Sequence, residues 1–306
     1  MTMRTMRPTR PITAVLVAGG LALGLAACGD DTADDDADVT LPDVSGTTAP
    51  PAGDGTSGSY EYPTGADEAV FEEAEVGGFT TRAFAFQRTP NLLVSGAGQA
   101  FSPGPQIEIY PGPLLPAVQV QSITDEGIEA LLGAADDAGL FADVDYDAPT
   151  NIADAGTTVV TIDVDGEIWV HEAYALGLSG PGGGGDESTP ERQALADFVA
   201  QLRDLPGLVG ADNLGETEVF EPDAFAIEAI ALDDLSAFGS DGIEPTVVDW
   251  PDDAGVALAD AATCTEISSA GVIEAFTAAN QLTFFDDDGV VYQVLVRPVL
   301  PGNGCA

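Results

Sequence analysis

The densest set of residues that could carry chemistry is DVDYDAPTNIAD, residues 143–154. In it Asp143, Asp145, Asp147, Asn151 and Asp154 stand at positions 1, 3, 5, 9 and 12. Oxygen ligands at that spacing can wrap a calcium ion, which makes Ca2+ the one cofactor the chain suggests. The stretch also departs from a calcium loop. Ala148 stands where a glycine makes the sharp turn, Pro149 follows it, Asp154 is shorter than the usual bidentate glutamate, and the segment leads toward a strand. In a chain with 52 acidic residues such spacing arises readily by chance, so a solvated loop is the preferred reading and a calcium site the alternative.

His171 is the sole histidine, and a Ser-His-Asp site would have to use it. Ser179 lies nearby in GLSGP, residues 177–181, but Pro181 stands where a nucleophile elbow needs glycine. The stretch also follows a hairpin rather than joining a strand to a helix. A strand histidine held by a local hydrogen bond is the better expectation. Paired carboxylates could serve a hydrolase, yet so many acids make any one pair uninformative without a cleft and a raised pKa. No catalytic residue is assigned. A non-catalytic binding or interaction module is expected, with a calcium-binding protein and a carboxylate-dependent hydrolase as alternatives.

The charge balance narrows the partners. Against those 52 acids stand 8 basic residues, all arginine, for a formal net charge of −44. Phosphate backbones are bound by clustered positive charge, so nucleic acid is not an expected partner. Such a field keeps a chain soluble and repels anionic lipid, while its self-repulsion needs counter-ions to screen it. Adaptation to salty surroundings accounts for it more simply than specific cation binding.

Residues 1–27 have the order of a secretory signal peptide: a leader with Arg4, Arg7 and Arg10, then the uncharged apolar run ITAVLVAGGLALGLAA. That run is short and flanked by charge, which argues against a permanent span. Leu25-Ala26-Ala27-Cys28 resembles the lipobox of bacterial lipoproteins. The resemblance implies a diacylglyceryl group on the Cys28 thiol, cleavage before it, and anchorage of an exported protein to the outer face of the cytoplasmic membrane. Several acyl chains hold far better than one, at roughly 0.8 kcal/mol per buried methylene. Residues 28–63, rich in Asp, Gly, Pro, Ser and Thr, are expected to form a disordered acidic tether. About 35 such residues reach about 30–35 Å.

Beyond the tether the pattern predicts an α+β fold, with antiparallel sheets, packed helices and two subdomains of similar order, 64–210 and 211–306. Strands are expected within 91–102 around Gly96-Ala97-Gly98 and at 117–122. Thr124 should cap a helix that buries Ile128, Leu131, Leu132 and Ala135 and ends at Gly139. TTVVTIDV, Asp165-Gly166 and EIWVHEAY form the clearest hairpin signal, because Asp-Gly suits the positive φ angles of a type I′ turn. After SGPGGGGDES, Thr189-Pro190-Glu191 opens a helix with Leu195, Phe198, Val199 and Leu202 at helical spacing, stopped by Leu205-Pro206-Gly207. In the second subdomain strands are expected at 223–232 and 246–250 and a helix at 269–279. A closing hairpin should turn at Asp286 to Gly289.

Cys264 and Cys305 remain once Cys28 is lipidated, and in an exported chain an even pair is most simply a disulfide. Two proline segments, YPGPLLP at 110–116 and RPVLP at 297–301, are extended and poor in donors. They are expected to cross the ends of the sheets and mark where an interface would form. With ANQLTFF they also give the ectodomain its resemblance to uncharacterised lipoproteins of actinobacterial type. That resemblance implies an envelope location, with an envelope protein or cell-wall ligand as possible partner, and supplies no activity.

Overall fold

The computed structural model describes residues 60–178, 189–239 and 242–305. The leader, Cys28, tether residues 28–59 and the glycine-rich stretch with Ser179 lie outside these. Among the described residues no helix is long and apolar enough to cross a membrane.

The fold is α+β, built on two sheets. In the first, β1 (Ala69–Gly77), β2 (Leu92–Ser95), β3 (Gln99–Pro103), β4 (Val118–Ser122), β5 (Gly156–Val164), β6 (Glu167–Tyr174) and β7 (Glu218–Val219) run in the order β6-β5-β1-β2-β3-β4-β7, all antiparallel. The second holds β8 (Phe225–Leu232), β9 (Thr246–Asp249), β10 (Thr265–Ile267), β11 (Thr283–Asp287) and β12 (Val290–Pro298) in the order β10-β8-β12-β11-β9. Here β9 joins β11 in parallel, the exception in otherwise antiparallel pairing. β7 places residues 218–219 in the first sheet, beyond the expected subdomain boundary at 210.

Both expected hairpins are present. Asp165 and Gly166 have φ of 55° and 75°, and Asp288 and Gly289 have 54° and 82°. Two successive positive angles define the type I′ turn, whose twist matches that of the strands it joins. The second turn is therefore the two residues Asp288-Gly289, with Asp286 and Asp287 still in β11.

Among the described residues five α-helices accompany the sheets: α1 (Arg82–Gln87), α2 (Asp125–Asp137), α3 (Pro190–Leu202), α4 (Leu205–Val209) and α5 (Ala270–Ala278). The Thr124 hydroxyl accepts the Gly127 N–H at the start of α2, and Asp125 and Glu126 sit at the positive end of its dipole. Gly139, at φ 77°, closes it while the Leu140 N–H reaches back to the Ala135 carbonyl. α3 starts from Thr189 in the same way. Pro206 does not simply end the α3 run; it opens α4, where its fixed φ and missing N–H suit a first turn.

The main core lies where α2 and α3 meet the first sheet, with Phe71, Ile128, Leu131, Ile162 and Phe198 fully enclosed. A second core gathers Phe225, Ile227, Phe276, Phe285 and Val296 between α5 and the second sheet. A third cluster, Leu93, Phe101, Val118 and Leu300, packs β2, β3 and β4 against the C-terminal segment.

β1 carries no alternating signal, because Glu72, Glu73 and Glu75 interrupt its apolar residues, yet it lies between β2 and β5. Glu73 is buried, accepts a hydrogen bond from Asn91 Nδ2 at 3.1 Å, and has its pKa raised by desolvation. A carboxyl whose folded pKa exceeds its unfolded one stabilises the fold only while protonated, so stability falls as pH rises through the raised value. Glu73→Gln keeps the acceptor and removes the charge. It is expected to be more stable than the parent at neutral pH, the gap closing as pH falls into the ordinary carboxylate range, as read by urea melts at several pH values.

The described chain begins at the main core. Tyr60 donates to Asp136 at 3.2 Å and Tyr62 to Asp125 at 3.5 Å, both on α2. Burial first, then the Asp125 charge, pushes the Tyr62 phenol up to about 12, so it stays a donor. Between them Glu61 is clasped to the first hairpin turn. Its carbonyl accepts the Asp165 N–H at 2.6 Å and its N–H donates to Asp165 Oδ1 at 2.9 Å.

Candidate functional site

The structure spreads the residues singled out by spacing rather than gathering them. Asp143, Asp145, Asp147, Asn151 and Asp154 are all exposed. Among the described residues no three His, Cys, Asp or Glu side chains come together as a metal site. What orders this loop is the residue between the aspartates. Tyr146 is buried, and the next residue is held by its backbone, with Arg192 donating to the Asp147 carbonyl at 3.3 Å and to that of Tyr174.

Tyr146 meets His171. The Leu140 carbonyl can only accept, so His171 Nε2 carries the proton that bonds it at 2.8 Å; Nδ1 then accepts from the Tyr146 hydroxyl at 3.0 Å. Burial, aided by the Glu191 charge, raises the Tyr146 pKa and keeps that proton in place. Both ring nitrogens are thus taken up inside the core. Tyr146→Phe strands a buried acceptor, at a cost of about 1–3 kcal/mol. The expected readout is a lower urea midpoint at unchanged slope.

Cys264 and Cys305 form a disulfide, S–S 2.05 Å and Cα–Cα 5.5 Å. Around it the C-terminal segment is pinned by Arg297, which donates to the Asn303 carbonyl at 2.6 Å and the Gly304 carbonyl at 2.9 Å.

The two proline segments come together. YPGPLLP leaves the first sheet and docks on the second. The Leu114 N–H donates to the Ala279 carbonyl at 3.2 Å, the Gln281 N–H to the Gly112 carbonyl at 2.9 Å, and the Leu114 side chain enters the second core. Beside that seam opens a groove of about 610 Å3, within the ~300–1,000 Å3 usual for small-molecule sites. Pro113, Leu115 and Pro116 form one side, Val219, Phe220 and Pro222 another. Ile273 and Phe276 of α5 and Pro298 of the second proline segment complete it, and Ile107 stands at its margin.

Ile107 and Val219 are 68% and 74% exposed, so the apolar lining continues to the surface. Backbone groups in the walls are already paired: Gly104 N–H to the Ala117 carbonyl at 2.8 Å, and Phe220 N–H to the Val118 carbonyl at 2.9 Å. Among the described residues its lining holds one carboxylate, Glu221. A second depression, of about 520 Å3, is shaped by the single loop Leu235 to Pro245, of which residues 240 and 241 are outside the described ones. The groove is the candidate site, since separate segments of both sheets converge on it. No protein-family model, curated protein or solved structure matches the chain.

Proposed function

We propose that the chain is a lipid-anchored protein of the cell envelope, and that its folded part is a non-catalytic binding module whose site is this groove. The observation that carries the reading is the convergence of the two proline segments on one apolar groove with exposed margins. Proline fixes its own backbone and loses little freedom on binding, so walls of Pro113, Pro116, Pro222 and Pro298 present a pre-formed cleft. The lipobox at Cys28 supports the anchor, and the acid-rich stretch after it supports a spacer that holds the fold clear of anionic headgroups.

Two measurements test the two halves. Cys28→Ser is expected to move the exported protein from the membrane fraction to the soluble fraction and to abolish its labelling by radioactive palmitate; retention of label would overturn the anchor. A neutral naphthylamine dye that brightens on desolvation is expected to be taken up by the full chain carrying Cys28→Ser. Ile107→Arg combined with Val219→Arg alters only exposed margins and is expected to weaken uptake at least tenfold. Unchanged uptake would overturn the groove as the site.

A further inference from the structure

We infer that the groove takes a cationic amphiphile, an apolar body of drug size carrying one positive group that sits against Glu221. The inference rests on the groove being the binding site and adds the class of its occupant. Several features of the lining set that class. Its prolines carry no N–H, and the neighbouring carbonyls of Ala117, Val118 and Ala279 already accept hydrogen bonds within the fold. Among the described residues Gln106 and Thr277 are the only uncharged polar side chains in the lining. A peptide backbone would find few partners there and leave its own polar groups unpaired, which is costly away from water. An aliphatic or aromatic body loses nothing by the same transfer and gains by leaving water.

The charge of the site sets the head group. Among the described residues Glu221 is the only charged one of the lining, and it is exposed, so it can meet a ligand without a prior burial cost. Among the described residues no arginine lines the groove. Arg297, next in sequence to Pro298 of the wall, directs its guanidinium to Asn303 and Gly304 and lies over the Phe86 ring. Around this site the chain carries 52 acids against 8 arginines, a field that repels anions and draws cations toward any cleft. A decanoate-like ligand would bring its charge to a carboxylate inside that field, while an ammonium of equal chain length would meet its complement.

The test uses the full chain with Cys28→Ser and the neutral dye, displaced by decyltrimethylammonium or by decanoate below their micellar ranges in 0.15 M salt. The cation is expected to displace the dye at a concentration at least tenfold lower than decanoate. Glu221→Gln is expected to cut that ratio several-fold, and Glu221→Lys to reverse it in favour of decanoate, each displacement being referred to that variant's own affinity for the dye. Equal displacement by the two surfactants, or a ratio untouched by Glu221→Gln, would overturn the inference. These outcomes are separate from failure of the groove itself, which shows as dye uptake indifferent to Ile107→Arg with Val219→Arg.

Discussion

Phe276→Ala is expected to lower stability by about 3–5 kcal/mol, the usual range for truncating an enclosed phenylalanine. Its ring is 1% exposed and meets three others edge-on or tilted: Phe225 at 5.3 Å, Phe285 at 5.7 Å and Trp250 at 6.0 Å between centroids. Removing it withdraws aromatic contact from α5, β8, β11 and the residue after β9 together. With about 2–4 °C per kcal/mol for a chain of this size, the melting midpoint should fall by about 6–20 °C. Phe276 also belongs to the groove lining, so the space left behind is continuous with the site. Dye uptake well below the new midpoint should therefore persist while stability drops. Thr277→Ala, at the exposed neighbour, should change stability by less than about 0.5 kcal/mol. A Phe276→Ala protein within 1 kcal/mol of the parent would show that the second core does not depend on this ring.

The second large effect lies at the other end of the same sheet. Cys264→Ser with Cys305→Ser opens a loop of sequence separation 41, and the chain-entropy relation puts the loss at about 4 kcal/mol. The double variant should unfold at a lower urea concentration, and a reducing agent should bring the parent to nearly the same midpoint without moving the variant. The segment has other ties, since the Cys305 N–H donates to Glu266 at 2.7 Å and Arg297 holds Gly304. Those ties are expected to keep the fold intact at low temperature. A parent insensitive to reductant would contradict the account.

Where one short stretch decides a structure by itself, the sequence was sufficient. Asp-Gly marks both hairpins, and Thr124, Thr189 and Ser269 each cap a helix expected from the sequence. β1 escaped because its three glutamates mask the period-two pattern, and Glu73 inside the fold is bonded to Asn91, a partner 18 residues away. The two-residue β7 and three-residue β10 are too short to carry any period. Residues 143–154 show the converse. Their aspartates draw the eye as metal ligands, while the side chain that fixes the loop is Tyr146, whose partner His171 comes from β6. The groove was legible only in part: both proline segments stand out in the sequence, but α5 and Val219 to Pro222 join them only through the pairing of strands distant in the chain.

The clasp at the start of the fold has a mechanical consequence. A load drawn along the chain from upstream of residue 60 reaches Tyr60, Glu61 and Tyr62 first, and these hold by a few bonds to α2 and the Asp165 turn. Only after they part does tension arrive at β1, which is bonded on both sides and must break two ladders at once. The clasp therefore acts as a fuse in series with a stronger joint. A tug of modest size frees residues 60–62 and leaves both sheets, and the groove, undisturbed.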